Sequence, residues 1–171
     1  MRISMKMLVA IALNACVVCS ALAGELPDPH LTPGALNPEI TQSNIHQTVC
    51  VKGYTKKIRP PVYYTNRLKK HQIRQYGYDD TDPKHYEADH LCALSIGGAP
   101  KDPRNIWPQP RNTEWSAKKK DELEIVLYKM VCHEEISLAE AQLEMITNWI
   151  DAWERHVPSH RKYLIRGRRV D

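Results

Sequence analysis

The sequence of 171 residues predicts a single-domain α+β protein. Tyr86–Ser95 is strand-prone and is followed closely by a Gly97-Gly98 turn. Apolar residues then recur at helical spacing between Leu123 and Val131, which predicts a long helix. Ser137 and Glu140 form a capping-box pattern, which predicts the start of a second helix. A strand, a turn and two amphipathic helices together indicate the mixed class.

The remaining elements are shorter. The segments around Val49–Val51 and Val62–Tyr64 favour β structure and are separated by two prolines. Tyr64–Tyr76 predicts a basic helix, which Gly77 would end. The long helix is expected from about Thr113 to Cys132, and the second helix follows the capping box.

The N-terminal segment has the pattern of a secretory signal peptide. A charged start is followed by the apolar run Met7–Val18 and by Ala21-Leu22-Ala23, a small-x-small cleavage signal. We therefore predict cleavage after Ala23, a secreted or periplasmic bacterial location, and no stable membrane anchor afterwards. The alternatives are a retained membrane anchor and a lipoprotein processed at Cys16.

The composition divides the mature chain into three parts. Residues 24–45 contain four prolines and little periodicity, so we expect an extended leader or linker outside the core. Residues 46–157 carry the predicted elements and form the expected folded domain. Residues 158–171 are a basic C-terminal tail.

The charge is distributed unevenly along the chain. After removal of residues 1–23 the chain has 22 Lys and Arg against 20 Asp and Glu, so its net charge is only +2. No acid lies between Glu39 and Asp79, where there are eight cations, and none lies between Glu154 and Asp171. This pattern predicts a basic surface for a polyanion. The alternative is that these basic segments are merely solvated.

Three cysteines remain after the predicted cleavage. Export implies an oxidising compartment, in which one disulfide and one free thiol are expected. Cys50 precedes a glycine-containing turn and Cys132 ends a predicted helix, whereas Cys92 lies in an apolar run. We predict a disulfide between Cys50 and Cys132.

The segment around Asp89 and His90 could hydrolyse a phosphodiester bond. A histidine that is neutral near pH 7 can take a proton from water, and a neighbouring carboxylate can bind a divalent cation. Adjacent residues on a regular strand point to opposite faces, so these two converge only if the strand ends there. Asn105 lies on the returning segment, where its amide can fix the loop backbone and keep the histidine oriented.

The order of these motifs resembles the HNH endonucleases. The resemblance rests on Asp89-His90, Gly97-Gly98, Asn105-Ile106-Trp107-Pro108 and the lysine-rich helix that follows. A wider likeness, over about residues 48–155, is to a group of exported bacterial HNH-like proteins. This resemblance implies the ββα-metal fold, with flanking helices in this chain.

The resemblance also implies roles for individual residues. Asp89 would be a metal ligand, His90 the general base and Asn105 the residue that orients it. The implied cofactor is a divalent metal, Mg²⁺ first, with Mn²⁺ or Zn²⁺ as alternatives. The position of the family's further ligand holds no histidine here, so Asn112 is our choice for the second ligand and Glu114 the alternative.

Cations near the motif are candidates for contacts to phosphate. We expect such contacts from four residues: Arg104, Arg111, Lys118 and Lys119. The alternative for the lysines is a solvated helix start. Binding would be mostly electrostatic, because no element is set up to read base edges.

The predicted function is therefore that of an exported, metal-dependent endonuclease for DNA, or for RNA, with little sequence specificity. The chain is expected to be a monomer. The alternative is a catalytically inactive HNH-like module that binds nucleic acid or an envelope polyanion. A second alternative is a structural zinc site.

Overall fold

The computed structural model describes residues 25–165. The predicted signal peptide and residues 166–171 of the predicted tail lie outside this range. The described chain mixes helices with a two-stranded antiparallel sheet, so the predicted α+β class is confirmed. Within residues 25–165, no helix is both long enough and apolar enough to span a membrane.

Helices dominate the described chain. The helices are α1 (Tyr54–Ile58), α2 (Val62–Gln75), α3 (Ala117–Cys132), α4 (Leu138–His156) and α5 (Lys162–Ile165), and the strands are β1 (Tyr86–His90) and β2 (Ile106–Pro110). Short 3-10 helices cover Gln42–Gln47, Pro83–His85, Leu94–Ile96 and Pro103–Asn105.

Three element boundaries differ from those expected from the sequence. The predicted strand Tyr86–Ser95 ends at His90, because the chain turns there into the 3-10 helix Leu94–Ile96. The long helix begins at Ala117 and not near Thr113, with Ser116 as its N-cap. The basic helix begins two residues early, at Val62 after its N-cap Pro61. The expectation of β structure was therefore wrong for Val62–Tyr64, which is helical, and for Val49–Val51, which lies in a turn.

The two strands pair in antiparallel register and α3 follows them in the chain. Asp89 lies opposite Trp107, and His90 lies opposite Ile106 at the end of the ladder. Paired residues share a face of the sheet, so Asp89 lies on the face of the fully buried Trp107. This register places the Asp-His pair at the point where regular pairing stops.

The core lies where α3 packs against α4. Leu123, Leu127 and Val131 of α3 are fully buried, as are Met145 and Trp149 of α4. The capping box at the start of α4 is confirmed, because the Ser137 side chain and the Glu140 side chain each accept a bond from the other's backbone N–H. Packing of the apolar face of α3 against that of α4 fixes the position of α3, the helix that follows β2.

A disulfide joins Cys50 to Cys132 with a Cα–Cα distance of 5.7 Å. This is the pair that the sequence predicts. It connects the loop before α1 to the last residue of α3, 82 positions later. Cys92 is a buried free thiol, and burial raises its pKa to about 12, so it behaves as a small apolar residue.

The leader packs against the body of the protein, which differs from the linker expected from its prolines. Ile40 and Ile45 belong to the hydrophobic core. The Gly34 N–H donates to the Arg104 carbonyl at 2.9 Å, and the Ala99 N–H donates to the Ala35 carbonyl at 2.9 Å. The proline-rich leader shows no hydrophobic periodicity in the sequence. Its backbone nevertheless forms hydrogen bonds with the loop that joins β1 to β2.

The first part of the predicted tail is also folded. α5 packs on α3, and Tyr163 and Leu164 are partly buried against the core. The Tyr163 hydroxyl donates to Glu135 and contacts His133. Residues 158–165 therefore extend the domain.

His156 near the end of α4 is partly buried, with Nε2 3.8 Å from Oε2 of Glu144. Burial lowers the pKa of His156 below its ordinary value, and Arg155 and His160 lower it further, whereas Glu144 opposes the shift. The folded state therefore binds this proton less readily than the unfolded state.

We predict that His156 makes stability depend on pH. Its contribution is fully present above the ordinary histidine pKa of about 6.5 and is lost as pH falls toward the lower folded value. Urea unfolding should show that the free energy of unfolding falls more between pH 7.5 and pH 5 in wild type than in His156→Gln. The slopes of this free energy against pH should differ by at most about 1.4 kcal/mol per pH unit. Identical pH dependence in the two proteins would contradict this assignment.

Candidate functional site

Asp89 and His90 line one small polar pocket of about 80 Å³. They are the last two residues of β1, and both contribute to the lining of this pocket. The pocket also has walls from the α1 region and from α3. Its charged or titratable lining residues are Arg59, Glu87, Asp89, His90, Asp121 and Glu124.

The His90 ring is held by the loop that follows it. Its side chain is almost fully buried, and Nε2 lies 3.0 Å from the Pro100 carbonyl oxygen. A carbonyl can only accept, so Nε2 carries the hydrogen of this bond. In the neutral ring Nδ1 is then the unprotonated nitrogen. Burial lowers the pKa of His90, with the Pro100 bond opposing, so the imidazole is kept neutral.

Asn105 ties the loop between β1 and β2 together. Its Oδ1 accepts from the Cys92 N–H at 2.8 Å, and its Nδ2 donates to the carbonyls of Cys92 at 3.0 Å and Ala99 at 3.1 Å. The residue is fully buried. Asn105 therefore anchors the backbone on both sides of the Gly97-Gly98 turn, including the segment next to Pro100.

Gly98 is required at the centre of this loop by close packing. A Cβ at this position would lie 1.9 Å from the Cys92 carbonyl oxygen and 2.8 Å from Nδ2 of Asn105. Those atoms belong to the Asn105 anchor, so no larger residue fits without breaking it. Gly98 and Asn105 are thus parts of one local structure.

Lys120 of α3 is fully buried beneath the Asp-His pair. Its Nζ lies 2.8 Å from Oδ2 of Asp89, 2.7 Å from Oε1 of Glu124 and 2.7 Å from the carbonyl oxygen of His90. The ammonium donates hydrogen bonds to Glu124 and to the His90 carbonyl, whereas its contact with Asp89 is an ion pair without hydrogen-bond geometry. The ammonium therefore joins α3 to the end of β1 and holds the Asp89 carboxylate in place.

The pocket carries more carboxylates than cations. Burial alone would lower the pKa of Lys120, but the carboxylates of Asp89 and Glu124 raise it above its ordinary value. Burial and Asp89 raise the pKa of Glu124, against the opposing effect of Lys120. Asp121 and Glu87 add further negative charge to the lining. An anion entering this pocket would be repelled unless a cation accompanied it.

The donor chemistry of the pocket suits a hard divalent cation, because Mg²⁺ and Mn²⁺ prefer carboxylate oxygens. Asp89 would hold such an ion together with a second carboxylate of the lining, Glu87 or Asp121. Within residues 25–165, no three or more His, Cys, Asp or Glu side chains are gathered into a ligand cluster. The residues fit the ion by chemical type, and Lys120 already occupies one oxygen of Asp89.

Neither residue expected as the second metal ligand lies in the pocket. Asn112 is exposed and is not part of the lining. Glu114 is also exposed, with Oε1 3.8 Å from Nζ of Lys119. Both precede α3, in the turn after β2, whereas the carboxylates that reach the pocket from this side lie within α3 itself.

The cations expected to contact phosphate have different surroundings. Arg104 pairs with Asp102 at 2.6 Å, and Arg111 pairs with Glu87 at 3.1 Å. Nζ of Lys119 lies 4.0 Å from the centre of the Trp115 ring, a cation–π contact. Lys118 is exposed. Of these residues, Arg111 is joined most directly to the pocket, through Glu87.

Sequence reasoning missed Arg59, Glu124 and the role of Lys120. Lys120 and Glu124 are four residues apart on α3, a spacing that predicts a helical ion pair. The same spacing relates Lys118 to Glu122, so it does not by itself single out Lys120 as the buried lysine. Arg59 gave no comparable signal, because its approach to the pocket depends on how α1 packs near Leu94–Ile96.

Comparisons of the chain with family models, with curated proteins and with solved structures found no match.

We predict that Asn105→Ala destabilises the fold by about 3 kcal/mol, because it leaves a buried N–H and two buried carbonyls without partners. Asn112→Ala, which removes an exposed asparagine on the same stretch of chain, should change stability by less than about 0.5 kcal/mol. Urea unfolding measures both. Equal effects of the two substitutions would exclude the anchoring role of Asn105.

Lys120→Met should destabilise the protein by roughly 3–5 kcal/mol, because two partly buried carboxylates lose their shared cation. Lys118→Met is the matched control on an exposed position and should be nearly neutral. Adding Glu124→Gln to Lys120→Met should recover part of the loss, because it removes one unopposed charge. If the double variant is no more stable than Lys120→Met, the ion pairs do not account for the loss.

Proposed function

We propose that this chain is an exported, divalent-metal-dependent endonuclease that hydrolyses phosphodiester bonds of DNA, with RNA as a second substrate. The observation that supports it is the meeting of Asp89 and His90 in one polar pocket. Hydrolysis of a phosphodiester needs both a base for water and relief of negative charge, and this pair supplies both kinds of group.

His90 would act as the general base. Its neutral ring, with Nε2 donating to Pro100, leaves Nδ1 able to take a proton from water. The bond to Pro100 would also keep the ring from rotating while the proton is transferred. Such a positioned base typically contributes a rate factor of about 10²–10⁴.

Asp89 would hold the divalent cation with Glu87 or Asp121. A bound divalent cation polarises a phosphoryl oxygen and stabilises the leaving oxygen. Lys120, fixed between Asp89 and Glu124, would keep the Asp89 carboxylate in position. Arg59 lines the same pocket, and its guanidinium could pair with phosphate oxygens.

The resemblance to the HNH endonucleases supports the same proposal. In that family's ββα-metal arrangement two strands and a helix surround the site, and here β1, the anchored loop, β2 and α3 follow one another in this order. Asn105 would orient His90 through the loop, since its bonds to Cys92 and Ala99 fix the backbone that leads to Pro100. Export would keep such an activity away from the cell's own genome.

A second candidate is a module that binds nucleic acid without cleaving it. The observation that favours it is the Lys120 ammonium, which already pairs with the carboxylate expected to bind metal. In that case the basic surface would remain functional and the pocket would be structural. The two candidates differ in whether divalent cations support turnover.

We predict that the refolded mature protein nicks supercoiled plasmid in Mg²⁺ or Mn²⁺ and not in EDTA. His90→Ala should lower the rate at least about 100-fold, because the base is lost. His30→Ala, at an exposed position, is the matched control and should retain the wild-type rate. Circular dichroism and the unfolding midpoint would establish that both variants fold.

Unchanged nicking by folded His90→Ala would refute the assignment of the base. An absence of nicking by wild type with every divalent cation, together with retained binding to DNA, would replace the enzyme with the binding module.

A further inference from the structure

An open groove of about 610 Å³ runs beside α2, outside the pocket described above. Its floor is formed by Tyr64, Leu68 and Pro103. Its remaining lining residues are cationic or titratable: Arg67, Lys70, His71 and Arg74. These four are all exposed, whereas Tyr64 and Leu68 are partly buried. The groove thus has an apolar floor and a basic rim.

The basic rim has no acidic partner on its own helix. Among residues 25–165, none of Arg67, Lys70 and Arg74 takes part in an ion pair, although other surface arginines do. Cations three or four residues apart on a helix repel one another, and this repulsion destabilises the helix when no anion is bound. An uncompensated row of this kind is complementary to a polyanion.

The row has the spacing of one helix face. Positions 67, 70 and 74 recur at i, i+3 and i+7, so they span about 10 Å along the helix axis. A row of cations beside an apolar and aromatic floor matches a single nucleic-acid strand, whose phosphates meet the cations while its bases contact the floor. A charged polymer without bases would gain nothing from contact with this apolar and aromatic floor.

The loop between β1 and β2 contributes to both the groove and the pocket. Leu94 and Ser95 line the pocket, and Pro103 lines the groove. The Tyr64 hydroxyl donates to the Lys101 carbonyl at 2.6 Å, and Nε2 of His90 bonds the Pro100 carbonyl at 3.0 Å. One residue of the groove and one of the pocket therefore contact consecutive carbonyl groups of this loop.

We infer that the α2 groove binds a single-stranded segment of nucleic acid and leads it to the pocket at Asp89 and His90. This deepens the proposed function, on which it rests for the identity of the polyanion. The strand would lie along Arg67, Lys70 and Arg74 and cross the loop at Pro100–Pro103. The four cations predicted from sequence near the Asp-His motif would then not be the main contacts.

The test is binding by the His90→Ala protein in EDTA, so that cleavage plays no part. A labelled single strand of about 12 nucleotides is titrated by fluorescence anisotropy at several salt concentrations. The variant Arg67→Gln, Lys70→Gln, Arg74→Gln should bind at least about tenfold more weakly at low salt, and its slope of log affinity against log salt should fall by about 2.

The matched control is Lys84→Gln, Lys129→Gln, which removes two cations outside both basic segments and is compared with the double variant Arg67→Gln, Arg74→Gln. The control should keep the wild-type slope. Equal losses in the two double variants would show that only net charge matters and would refute binding in the groove. Tighter binding of a hairpin duplex than of the single strand would also overturn it, because a duplex cannot place its bases on the floor.

The outcome is separable from that of the plasmid assay. Weak binding by the groove variant alone, in a protein that never cleaves, would support the groove and refute the nuclease. Normal binding by that variant, in a protein that cleaves through His90, would refute the groove and leave the nuclease standing. Binding of heparin or of anionic vesicles, without binding of DNA, would refute nucleic acid as the partner of the groove.

Discussion

The buried ammonium of Lys120 is the interaction on which the site depends. It meets oxygens of Asp89, Glu124 and the His90 backbone at 2.7–2.8 Å, and so connects α3 to the end of β1. A buried charge is tolerated only when it is paired and hydrogen-bonded, and here the ammonium is ion-paired with Asp89 and hydrogen-bonded to Glu124 and the His90 carbonyl. The position of α3, set by its packing on α4, thereby determines where the Asp89 carboxylate lies.

The loop between the strands depends on a second constraint, the fit of Asn105 against Gly98. The amide makes three hydrogen bonds to backbone groups, in space that a Cβ at Gly98 would fill. The leader adds backbone bonds from outside, at Arg104 and Ala99. A loop fixed from both sides can hold Pro100, and through it the His90 ring, in a single orientation.

The pocket and the α2 groove carry opposite charge. The pocket is rich in carboxylates, whereas the α2 groove carries unpaired cations. In the proposed function the two surfaces have different tasks: the groove attracts the polyanion, and the pocket accepts a phosphate only with a divalent cation. Such separation would make binding sensitive to salt and turnover sensitive to chelators, as independent properties.

Elements with local signals could be predicted from the order of residues alone. The period of the apolar residues in α3 and α4 reflects burial of one helix face, and Ser137 and Glu140 are close enough in the chain to cap one another. The strand at Asp89, the following turn and the cysteine pair could also be predicted, since each depends on residue type and spacing. The distribution of lysine and arginine along the chain likewise indicated which segments would be basic.

Which side chains contact one another depends on the packing of distant segments. Lys118, Lys119 and Lys120 are identical residues on one helix, α3. Their different positions around the helix axis leave Lys118 exposed and Lys120 fully buried. The proline-rich leader has no periodicity, and its packing on the inter-strand loop follows from backbone hydrogen bonds that every residue type can make. Arg59 and Glu124 line the same pocket as Asp89 because α1 and α3 both pack against the 3-10 helix Leu94–Ile96, and contacts between distant segments leave no pattern in a single sequence.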